Sequence, residues 1–133
     1  MTPVRHLDGI SYWVIEDSTE IGDFVGSVLR KEWEAEEAEG EKPATDLLTD
    51  LLGRRFTLRV VNTGEVHGSG YLQTAELGRR RAELRRGIER FGDVIWPIVV
   101  REEGYYLADG YCRYSALKEM GVPRLYAYVG SKL

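Results

Sequence analysis

Residues 107–117 carry most of the information about the fold and run Leu-Ala-Asp-Gly-Tyr-Cys-Arg-Tyr-Ser-Ala-Leu. The aromatic and apolar residues 105–108 before the Asp-Gly pair are typical of a short buried strand. Residues 114–120 then place apolar side chains at helical spacing, and Gly121 supplies a stop signal. The sequence therefore predicts a strand-to-helix junction, with Asp109 as the N-cap of the helix.

The start of this helix is a candidate anion site. The first turn of a helix leaves backbone N–H groups without partners, and the positive end of the helix dipole lies behind them. Arg113 would add a guanidinium group close to that turn. The alternative is a tight, capped turn that binds nothing, because capped turns between strands and helices are common.

The spacing of residues around this junction resembles a known family. Residues 109–121 follow Asp-Gly-x-x-Arg-Tyr-x-Ala-Leu-x-x-x-Gly, and residues 122–129 follow Val-Pro-x-Leu-Tyr-Ala-Tyr-Val. Residues 95–101, Ile-Trp-Pro-Ile-Val-Val-Arg, supply a Pro-Ile-Val-Val strand, and a helix is predicted before it. Together these pieces resemble the core of the ParB/sulfiredoxin superfamily, and the likeness covers residues 60–129.

The resemblance and the hydrophobic pattern together predict an α+β fold with a small mixed sheet and packed helices. Residues 54–133 would form the ParB/sulfiredoxin-like core, and residues 1–53 would add an N-terminal strand and a helical extension. A chain of 133 residues is long enough to form one domain around one core.

Two branches of the superfamily fit the motif poorly. Sulfiredoxins carry Gly-Gly-Cys-His-Arg at this turn, whereas this chain has Tyr111 in place of the reactive cysteine and Cys112 one position later. One residue at a helix start turns a side chain by about 100°, so sulfinic-acid reduction is not expected. Partition ParB proteins carry Gly-Glu-Arg-Arg and need a further helix-turn-helix domain after the core. A partition function is therefore not expected for residues 1–133 either.

The free serine kinases and related nucleotide-binding members carry Asp-Gly-His-His-Arg. This chain keeps Asp109, Gly110 and Arg113 but replaces both histidines. The resemblance implies binding of a nucleotide (ATP, ADP or CTP), with Mg²⁺ held by Asp109, because Mg²⁺ prefers carboxylate and phosphate oxygens. The residues expected to bind the nucleotide or its phosphates are Asp109, Gly110, Tyr111, Cys112, Arg113 and Tyr114.

A glycine-rich segment after the first core strand holds the candidate catalytic residues. Residues 63–66, Thr-Gly-Glu-Val, resemble the segment in which the serine kinases carry a catalytic acid, which makes Glu65 a candidate general base. His67 is a candidate for orienting a phosphate or a substrate. The alternatives are a flexible connection and a solvated histidine, and no Walker pattern occurs in the sequence.

A predicted helix over residues 74–91 is rich in arginine. Its arginines either form a solvated face paired with Glu76, Glu83 and Glu89 or contact nucleic-acid phosphates. In ParB proteins, elements near the corresponding helix help to bind the phosphates of CTP. The candidates for contact with nucleic acid are Arg79, Arg80, Arg85, Arg86 and Arg90. By contrast, residues 32–41 contain six glutamates, and they form either a solvated helix end and linker or a mimic of a polyanion.

The N-terminal part contains two predicted amphipathic helices after a loose start over residues 1–8 and a strand over residues 10–15. The first helix begins at an N-cap and capping box over residues 17–20, and the second begins near Pro43 and ends before Gly53. They either cover one face of the sheet or bind a protein partner, which includes a second copy in a homodimer.

The last predicted strand, residues 124–129, places Tyr126 and Tyr128 on one face. These tyrosines either cover the core or form a platform on which a base stacks.

Composition excludes some classes. The chain is 43% hydrophobic and 30% charged, with no apolar run long enough to span a membrane, no signal-peptide pattern and one cysteine, so a cytoplasmic protein is expected. The preferred function is binding of a nucleoside di- or triphosphate, with kinase or nucleotide-hydrolase activity as an option. The alternatives are a DNA-binding or nuclease-like protein and a catalytically inactive protein-interaction module.

Overall fold

The computed structural model describes residues 2–38, 45–68 and 74–133. It confirms the predicted α+β class, with four α-helices and seven strands in these residues. In chain order the elements are β1 (Val4–Leu7), β2 (Ile10–Trp13), α1 (Ser18–Ala38), α2 (Thr45–Leu52), β3 (Arg55–Asn62), α3 (Ala75–Phe91), β4 (Val94–Ile95), β5 (Ile98–Arg101), β6 (Leu107–Asp109), α4 (Tyr111–Glu119) and β7 (Arg124–Ser131).

A four-stranded mixed sheet in the order β3-β7-β5-β6 forms the centre of the molecule. Strand β7 pairs antiparallel with β3 and parallel with β5, while β6 pairs antiparallel with β5. The pairing places Leu125 opposite Val61 and Val129 opposite Val100, so apolar side chains of neighbouring strands lie together on one face.

A second, three-stranded sheet in the order β1-β2-β4 forms close to the N-terminus. The loose start predicted for residues 1–8 is wrong, because β1 pairs with β2 through a two-residue Asp8-Gly9 turn. Both turn residues have positive φ, at 49° and 83°, as in the tight hairpins that Asp-Gly favours. The polar sequence of β1 obscured the strand, since all its residues except Leu7 are exposed.

The four-stranded sheet is packed on both faces. On one face, Leu125, Ala127 and Val129 of β7 join a core with Leu117 of α4 and Ile88 of α3. The other face is covered by the N-terminal helices, as predicted for a helical cap. The residues buried there are Ile21, Val25, Leu29, Leu51, Phe56, Val99 and Tyr128.

The two tyrosines of β7 belong to the core. Tyr128 is fully buried against Phe24, and its hydroxyl accepts a hydrogen bond of 3.2 Å from the Ile15 N–H. Burial raises the pKa of Tyr128 to about 12. Tyr126 packs edge-on against Tyr12. Because Tyr128 is fully buried, it cannot offer a ring face to a base, so the two tyrosines do not form the platform together. Tyr126 is partly buried, and stacking of a base on this ring alone stays a prediction.

The helix boundaries follow local signals. Asp17 accepts a hydrogen bond of 3.0 Å from the Glu20 N–H at the start of α1, as the predicted capping box requires. Thr74 accepts one of 3.1 Å from the Leu77 N–H at the start of α3. Gly92 ends α3 in the left-handed conformation, with φ 64°.

Leu77, Leu84, Ile88 and Phe91 form an apolar stripe along α3, and one of them does not pack against the core. Phe91 is 77% exposed, whereas Ile88 is buried in the core. Phe91 is the last residue of α3 and lies at the edge of the stripe, where no described element covers it.

Several predictions concern residues or side chains that lie outside the part of the chain that the structure describes. These are the C-terminal end of the acidic run, the helix start at Pro43, and the side chains of Leu47 and Leu48. Of the remaining leucines of α2, Leu51 is buried and Leu52 is 38% exposed. A partner-binding role of the N-terminal helices stays a prediction.

Within the described ranges, none of the helices combines the length and the apolar character needed to cross a membrane. The cytoplasmic location stays a prediction.

Candidate functional site

The strand-to-helix junction lies where β6 gives way to α4. Asp109 ends β6, Gly110 has φ 95°, and α4 begins at Tyr111. The prediction of Asp109 as N-cap is wrong: Gly110 occupies that position, and no side chain caps the helix. The carboxylate of Asp109 instead accepts a hydrogen bond of 3.2 Å from Arg113. Gly110 therefore supplies no side-chain hydrogen bond to the first turn of α4.

Arg113 holds the junction together. Its Nη2 donates to Asp109 and, at 3.5 Å, to the carbonyl of Pro97 before β5. A Cβ at position 110 would lie 2.6 Å from this nitrogen, so the guanidinium needs a glycine beneath it. The Nε of Arg113 is buried and has no hydrogen-bond partner. The Arg113 side chain therefore packs against the turn, and only part of this side chain is exposed to solvent.

A cavity of about 350 Å³ opens beside the junction, and we call it the turn cavity. It combines the start of α4 with residues of α3 and α1, so it exists only in the folded chain. Both signs of charge are present in its wall. The lining residues are Glu32, Leu77, Arg80, Ala108, Asp109, Gly110, Tyr111, Cys112 and Arg113.

A second cavity of about 300 Å³ lies on another side of α4, and we call it the loop cavity. Tyr111 lines both cavities and is the residue that connects them. The lining residues are Val66, His67, Gly68, Tyr111, Tyr114, Ser115 and Lys118.

The two candidate catalytic residues occupy different positions. Glu65 is exposed in a short 3₁₀ turn and accepts a hydrogen bond of 3.2 Å from the side chain of Asn62. It is not among the described residues that line either cavity. His67 lines the loop cavity and stacks on Tyr106 with ring centroids 4.9 Å apart. The structure therefore brings His67, but not Glu65, next to Tyr111.

Tyr114, a predicted phosphate-binding residue, lies in the core. It is 5% exposed, and its hydroxyl donates a hydrogen bond of 3.3 Å to the carbonyl of Val66. Its ring lines the loop cavity rather than the turn cavity. Cys112 is a partly buried free thiol in the wall of the turn cavity.

The arginines of α3 divide into two groups. Arg80 pairs with Glu76, Arg81 pairs with Glu119, and Arg85 pairs with both Glu89 and Glu119. Hydrogen bonds from the Arg85 guanidinium to these two carboxylates raise its pKa. The predicted pairing of these arginines with glutamates is thus confirmed for some of them. Glu119 of α4 is a further partner that was not predicted.

Three other arginines of α3 are exposed and form no ion pair with any described residue. They are Arg79, Arg86 and Arg90. Positions i, i+7 and i+11 lie on one side of a helix, opposite the packed stripe of Leu84 and Ile88. This row of arginines is a positively charged strip on the surface.

The junction is poorly suited to a magnesium ion. The carboxylate of Asp109 is already bound by Arg113, and a metal would have to displace that guanidinium. Among residues 2–38, 45–68 and 74–133, no three His, Cys, Asp or Glu side chains are grouped so as to hold a metal. The ligands of a magnesium ion here would therefore be limited to the carboxylate of Asp109, the oxygens of a bound phosphate and water.

Comparison with known proteins gives matches to structures only. No family model matches the chain. No curated protein matches it. A pNOB8-like ParB N-domain is similar at 20% identity and TM-score 0.43, over 57% of this chain and 29% of its own. Sulfiredoxin from Arabidopsis thaliana is similar at 22% identity and TM-score 0.44, over 56% of this chain and 88% of its own.

These similarities concern the fold alone. The mixed α+β fold predicted from the sequence is confirmed by the structure itself, and the two matches are a partial likeness to it, over little more than half of the chain and with TM-scores below 0.5. The matched region spans less than a third of the ParB N-domain chain. Binding and catalysis by this chain have to be argued from its own residues.

Sequence reasoning missed Glu32, Leu77, Ser115 and Lys118, which line the two cavities. Ser115 and Lys118 follow Tyr111 by four and seven residues on α4, and this helical spacing was a usable signal. Glu32 reaches the turn cavity from α1, and no local pattern predicts such a contact.

Proposed function

We propose that the protein binds a nucleoside di- or triphosphate in the turn cavity, with the phosphates at the start of α4. One observation carries the proposal: the first turn of α4 has no side-chain cap and opens onto a cavity whose wall contains Arg80 and Arg113. The start of a helix attracts phosphate through its backbone N–H groups and through the helix dipole.

The size and the charges of the turn cavity support a compact, charged ligand. Its volume of about 350 Å³ lies at the lower end of the range for small-molecule sites, roughly 300–1,000 Å³. Arg113 neutralises much of the charge of Asp109 through their ion pair. Glu32 opposes an anion, so the phosphates would lie closer to Arg80 and to the start of α4.

Tyr111 and Leu77 supply the apolar part of the cavity. An aromatic ring can stack on a nucleobase, and such contacts are tolerant of which base is bound. ATP, ADP, CTP and GTP are therefore all suitable probes, and the specificity would come from hydrogen bonds at the base edge.

The proposal is limited to binding. Transfer or hydrolysis of a phosphoryl group needs a base near the attacking oxygen, and Glu65 lies outside the residues that line the turn cavity. Catalysis by Glu65 stays a prediction. It is tested by phosphate release from the preferred nucleotide in the wild type and in Glu65→Gln.

The test is a thermal-shift titration with each nucleotide, with and without Mg²⁺. A ligand that binds only the folded state raises the midpoint as its concentration exceeds its Kd. Arg80→Gln should reduce this shift, because Arg80 lines the cavity. Its side chain is exposed, so the substitution should have little effect on the stability of the fold. Arg86→Gln is the matched control, as it removes one charge from the same helix away from the cavity.

At a concentration of about 100 times Kd, a bound nucleotide should stabilise the folded protein by roughly 2.7 kcal/mol. If no nucleotide raises the midpoint at such a concentration, the proposal is refuted. An equal loss of response in Arg80→Gln and Arg86→Gln would mean that general charge, not the turn cavity, binds the nucleotide.

A second candidate is binding of a nucleic-acid backbone, favoured by the unpaired row of Arg79, Arg86 and Arg90. Binding of this kind weakens steeply with salt, and each lost phosphate contact lowers the slope by about 1. Arg86→Gln should then weaken binding to a short DNA duplex and flatten its salt dependence, while Arg80→Gln should have less effect. Absence of binding at low salt would remove this candidate.

A further inference from the structure

We propose that the loop cavity is a separate site for a small phosphate-bearing ligand, such as a phosphate monoester or inorganic phosphate. The site is formed by His67, Ser115 and Lys118, and it does not depend on nucleotide binding in the turn cavity.

The charge of the wall distinguishes this cavity from the others. Lys118 lines the loop cavity, and no carboxylate is among its described lining residues. The turn cavity contains Glu32 and Asp109, and a third cavity near the N-terminus contains Glu16, Asp17 and Glu20. Of these three cavities, the loop cavity is therefore the one whose described lining contains a cationic side chain and no carboxylate.

Lys118 is held in place without being neutralised. Its Nζ lies 5.8 Å from the centre of the Tyr114 ring, a cation–π distance, and it forms no ion pair with the described residues. The Tyr114 ring is itself fixed, since its hydroxyl bonds to Val66 and the backbone of Gly68 lies against it. A Cβ at position 68 would lie 2.6 Å from that ring, so the close approach requires glycine.

His67 is oriented by backbone and ring contacts. Its Nδ1 is hydrogen-bonded to the carbonyl of Gly104, and a carbonyl can only accept, so Nδ1 carries the proton. Stacking on Tyr106 holds the ring plane. The main chain of His67 also bonds to Tyr105, at 3.1 Å. Nε2 is then the ring nitrogen that remains to contact an oxygen of a ligand.

Ser115 supplies a further donor. Its hydroxyl accepts a hydrogen bond of 3.1 Å from Arg81, which leaves the hydroxyl hydrogen free to point at a ligand. Ser115 and Lys118 are three residues apart on α4, and such side chains are neighbours on a helix surface. Residues that carry a hydroxyl, an ammonium and an imidazole group thus line one cavity from two separate segments. A tetrahedral oxyanion, with several acceptor oxygens, suits this set better than a carboxylate.

The test is an NMR titration of the full chain with inorganic phosphate and with glycerol 3-phosphate, with acetate as the carboxylate comparison. We expect saturable amide shifts at residues 66–68 and 115–118, and weaker binding of acetate. Lys118→Gln should weaken phosphate binding about tenfold, the effect of one charged hydrogen bond. Lys132→Gln, which removes an exposed lysine near the C-terminus, should leave it unchanged.

Ser115→Ala and His67→Gln provide independent variants, each expected to weaken binding severalfold. No saturable shift up to about 50 mM phosphate would overturn the proposal, since binding weaker than millimolar has little free energy. Equal weakening by Lys118→Gln and Lys132→Gln would also overturn it. Arg80→Gln, which tests the nucleotide site, should not alter phosphate binding here, so the two proposals fail separately.

Discussion

At the residue scale, Gly110 and Arg113 form one unit. Gly110 adopts φ 95°, which side chains rarely tolerate, and the space beside its Cα is filled by the Arg113 guanidinium. The pairing of Arg113 with Asp109 then ties the start of α4 to the end of β6. The glycine of the motif is thus required by the fold, whatever the junction binds.

Gly110→Ala should destabilise the protein by about 2–3 kcal/mol, because backbone strain and a steric clash add. The new Cβ would lie 2.6 Å from Nη2 of Arg113 and 3.0 Å from the side chain of Ile98. Urea unfolding followed by circular dichroism measures the loss.

Gly121→Ala is the matched control for this substitution. Gly121 also has positive φ, 74°, but a Cβ there meets nothing within 4 Å. Its cost should be backbone strain alone, about 1 kcal/mol. Equal costs at the two positions would show that the Arg113 guanidinium does not occupy the space above Gly110.

A second residue-scale feature is the ion-pair group around Arg54, whose side chain is only 4% exposed. Arg54 contacts Asp50, Glu103 and the carbonyl of Gly130. Burial acts to raise the pKa of Asp50, but hydrogen bonds from Arg54 and Arg101 outweigh it and hold this pKa below its usual range.

The lowered pKa of Asp50 predicts a contribution to acid sensitivity. The unfolded chain takes up this proton near pH 4, above the pKa in the folded state. The contribution is therefore present above about pH 4 and is lost as the pH falls through the folded pKa. Stability measured from about pH 7 to about pH 3 should fall less in Asp50→Asn than in the wild type.

Asp23→Asn serves as the comparison for this pH series, since Asp23 is an exposed carboxylate of α1. It should follow the wild-type profile. An acid profile for Asp50→Asn that also parallels the wild type would refute the role assigned to Asp50.

At the element scale, helix ends that depend on local signals were predicted correctly, whereas features that depend on long-range contacts were not. The start of α1 and both ends of α3 follow from cap residues that bond within their own turn. The N-cap assigned to Asp109 failed because Arg113, four residues later, binds its carboxylate. Strand β1 was missed although Asp8-Gly9 is a hairpin signal, since polar edge strands lack an alternating pattern.

The candidate site was predicted in the same partial way. The motif placed Tyr111, Cys112 and Arg113 in one cavity, because these residues are neighbours on one turn. Arg80 was predicted either to pair with a glutamate on a solvated face or to contact nucleic acid, and the fold also brings it to the turn cavity. Partners that arrive from α1 and α3 depend on tertiary packing, which a local pattern does not contain.

The packing of α1 against α2 gives a matched pair of substitutions. A Cβ at Gly22 meets nothing within 4 Å, whereas one at Gly26 lies 3.1 Å from the side chain of Leu52. Gly22→Ala should stabilise the protein by about 0.5–1 kcal/mol through helix propensity. Gly26→Ala should stabilise the protein less than Gly22→Ala does, or should destabilise it. Thermal unfolding of the two variants compares their stabilities. Equal gains would show that α2 does not approach α1 at Gly26.

At the scale of the whole molecule, the N-terminal segment is built into the core. Ile10, Tyr12 and Val14 belong to the same cluster as residues of α4 and β7. Ile21 and Val25 cover the opposite face of the central sheet, over Phe56. The segment is therefore packed with the core rather than appended to it.

This packing predicts that residues 2–133 unfold as one unit. Tryptophan fluorescence and far-ultraviolet circular dichroism should give coincident urea transitions. Residues 54–133 alone should show no cooperative transition, because Phe56, Val99 and Tyr128 would lose their cover. Two separate transitions in the full chain, or a cooperative transition in the fragment, would contradict this prediction.

The place of β7 in the central sheet has a consequence for biosynthesis. This strand lies between β3 and β5, yet among the described elements it is made after both of them and after β6. Until it has emerged from the ribosome, β3 and the β5–β6 pair have unpaired edges and cannot join. Such edges, with exposed apolar faces, make a nascent chain prone to aggregate. We therefore expect the exposure of these edges to end only when β7 pairs with both of them.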